Sequence, residues 1–86
     1  MTEEQITKLD ILRYRRSQIS YELEGMKRAE ELIQEDGKYT ARIFDGRDRL
    51  IISRRVSFDY VRRAFNQTKG NLQAELEQID KEIEEL

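Results

Sequence analysis

Residues 42–55 read RIFDGRDRLIISRR, and their reading decides the fold. Asp45-Gly46 is a strong two-residue hairpin signal, because a type I′ turn needs positive φ at both central positions. On either side, apolar and charged residues alternate with the period of two that marks a half-buried strand. The stretch predicts a β-hairpin over about 38–53 that turns at Asp45-Gly46. In that register Phe44 faces Arg47, Ile43 faces Asp48, Arg42 faces Arg49 and Ala41 faces Leu50. One side then carries Tyr39, Ala41, Ile43, Leu50 and Ile52, and is expected to cap a helical core. The other carries Thr40, Arg42, Phe44, Arg47, Arg49 and Ile51.

Helices flank the ribbon. Upstream, TEEQ at 2–5 is a capping box, with Thr2 and Gln5 able to satisfy each other's backbone N–H groups. Apolar residues follow at 3-4 spacing through Leu9, Leu12, Ile19, Leu23, Met26 and Ile33. The pattern predicts a helix over about 3–35, ended by Gly37 in the left-handed conformation. Downstream, Ser57 is a good N-cap. The stripe Phe58, Val61, Phe65, Thr68, Leu72, Leu76, Ile79, Ile83, Leu86 predicts a helix over about 57–86. Its consecutive spacings of four across Leu72 form a stutter beside Gly70, where a kink or break is a minority expectation.

A hairpin is a tight reversal, so the helices return antiparallel. Matched outward from the ribbon, Ile33 meets Phe58, Met26 meets Phe65, Leu12 meets Ile79 and Ile6 meets Leu86. The paired numbers total 91 or 92. Arg16 interrupts the first stripe, and its register partner is Glu75. It either snorkels to water or pairs with Glu75 to fix the register. The expected fold is mainly α: one domain spanning residues 1–86, a coiled-coil-like helical hairpin joined by a β-hairpin.

Composition suggests that this hairpin is not alone. A chain of 86 residues buries only about 60% of its unfolded surface, which leaves a monomer marginal. It has no cysteine for disulfides and no histidine, so Cys/His zinc sites and a His base are excluded. Oligomerisation is the remaining source of stability. The first helix carries another 3-4 row, Ile11, Tyr14, Gln18, Tyr21, Gly25, Arg28, Leu32, read as adjoining the core stripe. The second carries Tyr60, Ala64, Gln67, Asn71, Ala74, Gln78, all uncharged in a chain that is 40% charged. Such rows mark an interface. The expected oligomer contacts are Ile11, Tyr14, Tyr21, Gly25, Leu32, Tyr60, Ala64 and Ala74, and the expected assembly is a helical bundle.

Charge is unevenly spread. Net charge is −2, yet residues 38–63 hold eight basic and three acidic residues, net +5. No phosphate-binding glycine loop, nucleophile motif or paired-acid site is present, and the many carboxylates project outward from helices. No catalytic residue, cofactor or metal is therefore assigned. The start MTEEQITKLD lacks a signal peptide's apolar run, so a cytoplasmic location is expected, away from membranes. The ribbon arginines need a reason beyond folding. Arg54 and Arg55 precede a helix N-terminus, where cations are mildly unfavourable, and like charges on one ribbon side repel. The expected function is a non-enzymatic protein-binding module, a small oligomeric adaptor, inhibitor or assembly factor of the kind found among phage and mobile-element accessory proteins. Its binding face is expected at Arg42, Phe44, Arg47, Arg49 and Ile51, for a protein partner with an acidic surface. The alternative is a nucleic-acid-binding protein using the same face.

Overall fold

A computed structural model describes all residues, 1–86. Two helices, α1 (Glu3–Glu30) and α2 (Phe58–Glu84), flank two antiparallel strands, β1 (Tyr39–Phe44) and β2 (Leu50–Val56). No helix is long and apolar enough to cross a membrane.

Both helix starts follow their sequence signals. The Gln5 N–H donates to the Thr2 hydroxyl at 3.2 Å, and the Thr2 N–H donates to the Gln5 side chain at 2.9 Å. The Tyr60 N–H donates to the Ser57 hydroxyl at 3.1 Å. The end of α1 differs from expectation. It stops at Glu30, about a turn early, and tightens: the Leu32 and Ile33 N–H groups bond back three residues, to Ala29 and Glu30. Glu30, Glu31, Glu35 and Asp36 would crowd the negative end of a longer helix's dipole, which disfavours extension.

Gly37 does not take a positive φ. It is needed for another reason: a Cβ there would overlap the Tyr39 phenol. That ring folds back so that its hydroxyl receives the Gln34 N–H at 2.6 Å and donates to the Gln34 carbonyl at 3.1 Å. The link between α1 and β1 is thus held by a clamp.

The helices pack on each other and the strands on each other, but the ribbon lies against neither helix to any extent. The core is therefore helical and small: Leu12, Ile19, Leu23 and Ile79 are buried, with Leu72, Leu76, Ile83 and Leu86 packed around them. Leu12 and Ile79 share this cluster, and Ile33 and Phe58 line one shallow depression, as the antiparallel register requires. At the far end the Gln5 side-chain amide donates to the Leu86 carbonyl at 3.3 Å, and Ile6 stays half exposed.

Two details of α2 depart from the sequence reading. The helix runs unbroken through Gly70. Thr68 is exposed while Lys69 is half buried, so the seam passes Phe65, Lys69 and Leu72, and the stutter lies about two turns earlier than expected. The Lys69 ammonium meets Glu30 at 2.6 Å. Arg16 pairs with Asp80 at 2.6 Å, and not with its level partner Glu75. Helical side chains lean toward their own N-terminus, so in antiparallel helices long partners converge from residues beyond level register. The Arg16 pair is about half exposed at both ends, so its interaction is screened and it trims the register without setting it.

The buried cluster yields a stability prediction. Leu12→Ala and Ile79→Ala each cost roughly 2–5 kcal/mol in chemical denaturation, the range for core truncation. Leu32→Ala, at a residue 80% exposed, stays within about 0.5 kcal/mol of the parent.

Candidate functional site

The tip of the ribbon is built differently from a two-residue turn, and this relocates the site. The Asp48 N–H donates to the Asp45 carbonyl at 3.0 Å, and the Asp45 N–H donates to the Arg49 carbonyl at 2.9 Å. Asp48 takes φ of 59°, and Gly46 does not have a positive φ. This is a three-residue loop, Gly46-Arg47-Asp48: a turn followed by one left-handed residue, the next most common hairpin design. The cause is the Asp45 side chain. One carboxylate oxygen receives the Arg47 N–H at 2.8 Å and the Arg49 N–H at 3.0 Å, and the other meets the Arg49 guanidinium at 2.8 Å. Aspartate commonly closes turns by bonding its own backbone two residues on. The Arg49 and Arg47 N–H groups, with the Arg49 guanidinium, hold the Asp45 carboxyl below its ordinary range.

The longer loop shifts the strand register. Ile43 pairs with Ile52, Arg42 with Ser53, Ala41 with Arg54, Thr40 with Arg55 and Tyr39 with Val56. Phe44 pairs with Leu50, which leaves Ile51 as a bulge. The expected pairs Phe44–Arg47, Ile43–Asp48, Arg42–Arg49 and Ala41–Leu50 do not form. Facing residues in an antiparallel pair project to the same side. One side therefore carries Tyr39, Ala41, Ile43, Ile52, Arg54 and Val56; the other carries Thr40, Arg42, Phe44, Leu50, Ser53 and Arg55.

The five residues expected to form one binding face are thus dispersed. Arg42 and Phe44 share a side, Arg47 and Arg49 belong to the tip, and Ile51 is the bulged residue. Arg49 is also occupied by Asp45. Nor does the apolar side cap the helical core. Ile43, Phe44, Leu50, Ile51 and Ile52 are between 47% and 66% exposed, so both sides of the ribbon are open.

One side of the ribbon continues into a groove. A cleft of about 390 Å³ runs over Ala41, Ile43, Ile52 and Val56 to Ser57 and Tyr60 at the start of α2, with Arg54 and Arg55 in its lining. From Ser57 and Tyr60 a second depression continues along α2 past Arg63, Ala64 and Gln67. The two share Ser57 and Tyr60 and form one trough, open to solvent. Its lining includes Arg54, Arg55 and Arg63 and no anion; by the strand register the Arg55 side chain projects to the opposite side of the ribbon, so the cations on the trough's own side are Arg54 and Arg63. None of the three has a carboxylate within ion-pair distance; the chain's ion pairs involve Arg16, Arg49, Arg62 and Lys69. No group of three or more acidic side chains is placed to hold a metal ion.

No family model, curated protein or solved structure matches this chain. Its function is argued from this surface.

Tyr60 and Ala64, expected as oligomer contacts, line the trough. Ala74, farther along the same row, is exposed. On α1, Ile11, Tyr14, Tyr21 and Leu32 are exposed and Gly25 is half buried. At about 100° per residue, this row is centred roughly 150° from the core stripe, so it points away from α2 and does not adjoin the seam. Arg54, Arg55, Val56 and Arg63 were not selected by sequence reasoning. The signal that finds them is Asp48, a residue type that tolerates the left-handed conformation, three positions after an aspartate able to close the loop.

The tip chemistry gives two predictions. Gly46→Ala is tolerated or mildly stabilising, because Gly46 has no positive φ and a Cβ there meets nothing within 4 Å. Asp48→Gly stabilises by about 1 kcal/mol or less in thermal unfolding, by relieving a left-handed non-glycine residue. A turn centred on Asp45-Gly46 gives the opposite order. The Asp45 carboxyl is held down in the folded state, so its contribution is complete above the unfolded value near 3.8 and is lost as pH falls through the lower folded value. The Arg47 and Arg49 amide proton resonances shift in that acid range, and Asp45→Asn abolishes the shift.

Proposed function

We propose that the chain is a non-enzymatic protein-binding module that self-associates and serves as an adaptor, inhibitor or assembly factor. The observation that carries this reading is the trough. An apolar floor beside the unpaired Arg54 and Arg63 fits a protein surface that mixes apolar side chains with carboxylates. Charge complementarity at such a contact steers association and excludes wrong partners. The free edges of the ribbon add backbone donors and acceptors, which a partner strand can pair.

Self-association has two uncovered surfaces available: the trough, and the α1 row of Ile11, Tyr14, Tyr21, Gly25 and Leu32. Both suit a chain with only four buried residues, too small a core to stand comfortably alone. The unpaired arginines also sustain the nucleic-acid alternative. Against it, the trough has a single aromatic ring, Tyr60, on which a base could stack. The chain as a whole is also acidic.

The test is affinity capture from cells that express the chain, at low and high salt, comparing the parent with Arg54→Glu/Arg63→Glu. The parent is expected to retain a nuclease-resistant protein partner that the variant loses while keeping its helical circular dichroism. Capture that nuclease abolishes and that falls steeply with salt, as counterion release demands, is the nucleic-acid outcome. Equal capture by parent and variant removes the trough from consideration.

A further inference from the structure

The trough lacks anions, and the molecule's anions are concentrated at its opposite end. Residues 1–10 and 75–86, brought level by the antiparallel helices, hold nine acidic and two basic residues, net −7. Residues 38–63 at the ribbon end carry +5. The molecule is 54 Å along its longest axis, and helices of 28 and 27 residues keep the two ends apart. The opposed charges therefore cannot meet within one molecule; they can meet only between molecules.

The acidic end matches the trough in more than charge. Glu3 and Glu4 line a depression with Ile11 and Leu86 and with one cation, Lys8, and Ile6 and Ile11 are about half exposed. Glu84 and Glu85 are exposed at the same end. Half-exposed isoleucines ringed by carboxylates are the complement of Ile43, Ile52 and Tyr60 ringed by arginines. Ribbon-to-ribbon contact would instead set +5 against +5.

We infer that the trough of one molecule receives the acidic terminal end of a second copy, head to tail. This rests on the trough being a protein-binding surface and names its occupant. Arg54 and Arg63 meet the glutamates of the second copy, and the apolar residues of the two ends close against each other. The contact is heterologous: every open assembly keeps a free trough at one end and a free acidic end at the other, so association continues past the dimer unless the rotation closes a ring.

Sedimentation velocity of the full chain tests this. The parent's weight-average mass rises with concentration beyond twice 10.4 kDa at low salt. It falls as salt is added, because the screening length shortens from about 30 Å at 0.01 M to about 3 Å at 1 M. Arg54→Glu/Arg63→Glu and, separately, Glu84→Arg/Glu85→Arg each lose association while keeping the parent's circular dichroism, and an equimolar mixture of the two regains it. Gly25→Arg, on the outer row of α1, associates like the parent. A parent that stays at 10.4 kDa at every concentration overturns the inference, as does a charge-reversed variant that associates unchanged or a mixture that stays monomeric. An arginine-dependent capture of another protein by a monomeric parent overturns the head-to-tail contact and leaves the protein-binding reading intact. A closed dimer that Gly25→Arg splits and charge reversal does not also overturns it.

Discussion

The ribbon depends on one carboxylate. Asp45 gathers the Arg47 and Arg49 N–H groups and the Arg49 guanidinium, and so closes a loop one residue longer than the Asp-Gly pair alone suggests. Everything downstream follows from that extra residue. A changed register in an antiparallel pair changes which residues share a side. Here the bulge at Ile51 moves Leu50 away from the Ile43 side, and the shift sets Arg54 opposite Ala41 and Val56 opposite Tyr39 on it. The apolar side that would have capped the helices becomes the floor of an open trough edged by arginines.

The helical pair is ordered by modest means. Only Ile79 is essentially inaccessible, and three other residues complete the buried core. Two interhelical ion pairs, Arg16–Asp80 and Lys69–Glu30, supplement it. Both draw on the same geometry, in which long side chains lean N-terminally and converge across the seam. Lys69 occupies a seam position that the apolar pattern assigned to Thr68. Its aliphatic stem serves as a half-buried apolar segment while the ammonium reaches Glu30, the behaviour expected of amphipathic side chains.

Much of the fold was legible in the sequence, and the failures have physical causes. The capping box at Thr2, the cap at Ser57, the helical stripes and the presence of a hairpin rest on short-range rules with few competitors. The meeting of Leu12 with Ile79 follows from counting outward from a reversal. The turn was misread because Asp45-Gly46 and Asp45-Gly46-Arg47-Asp48 compete on nearly equal terms, and the outcome depends on where one carboxylate bonds. Gly37 was read as a helix stop, whereas it is the space that a ring from Tyr39 occupies, a contact that no local rule encodes. The site inherited the turn error. Of the five residues expected to form one face, only Arg42 and Phe44 keep a shared ribbon side, and the trough draws instead on Arg54 and Arg63.

The arginines also bear on the hazard that a bare ribbon presents. Two unpaired strand edges with half-exposed Ile43, Phe44, Leu50, Ile51 and Ile52 are a template for edge-to-edge aggregation. Specificity is a difference between affinities, and it can be gained by penalising the wrong partner as well as by favouring the right one. Cations that have no carboxylate partner in their own chain do both. They repel the equivalent ribbon of another copy and attract any surface that offers carboxylates beside apolar side chains. Had the ribbon arginines each been paired internally, as Arg49 is with Asp45, the repulsion would be lost and the apolar strands would face one another unopposed. Leaving Arg54, Arg55 and Arg63 unpaired therefore serves solubility and recognition through the same charges.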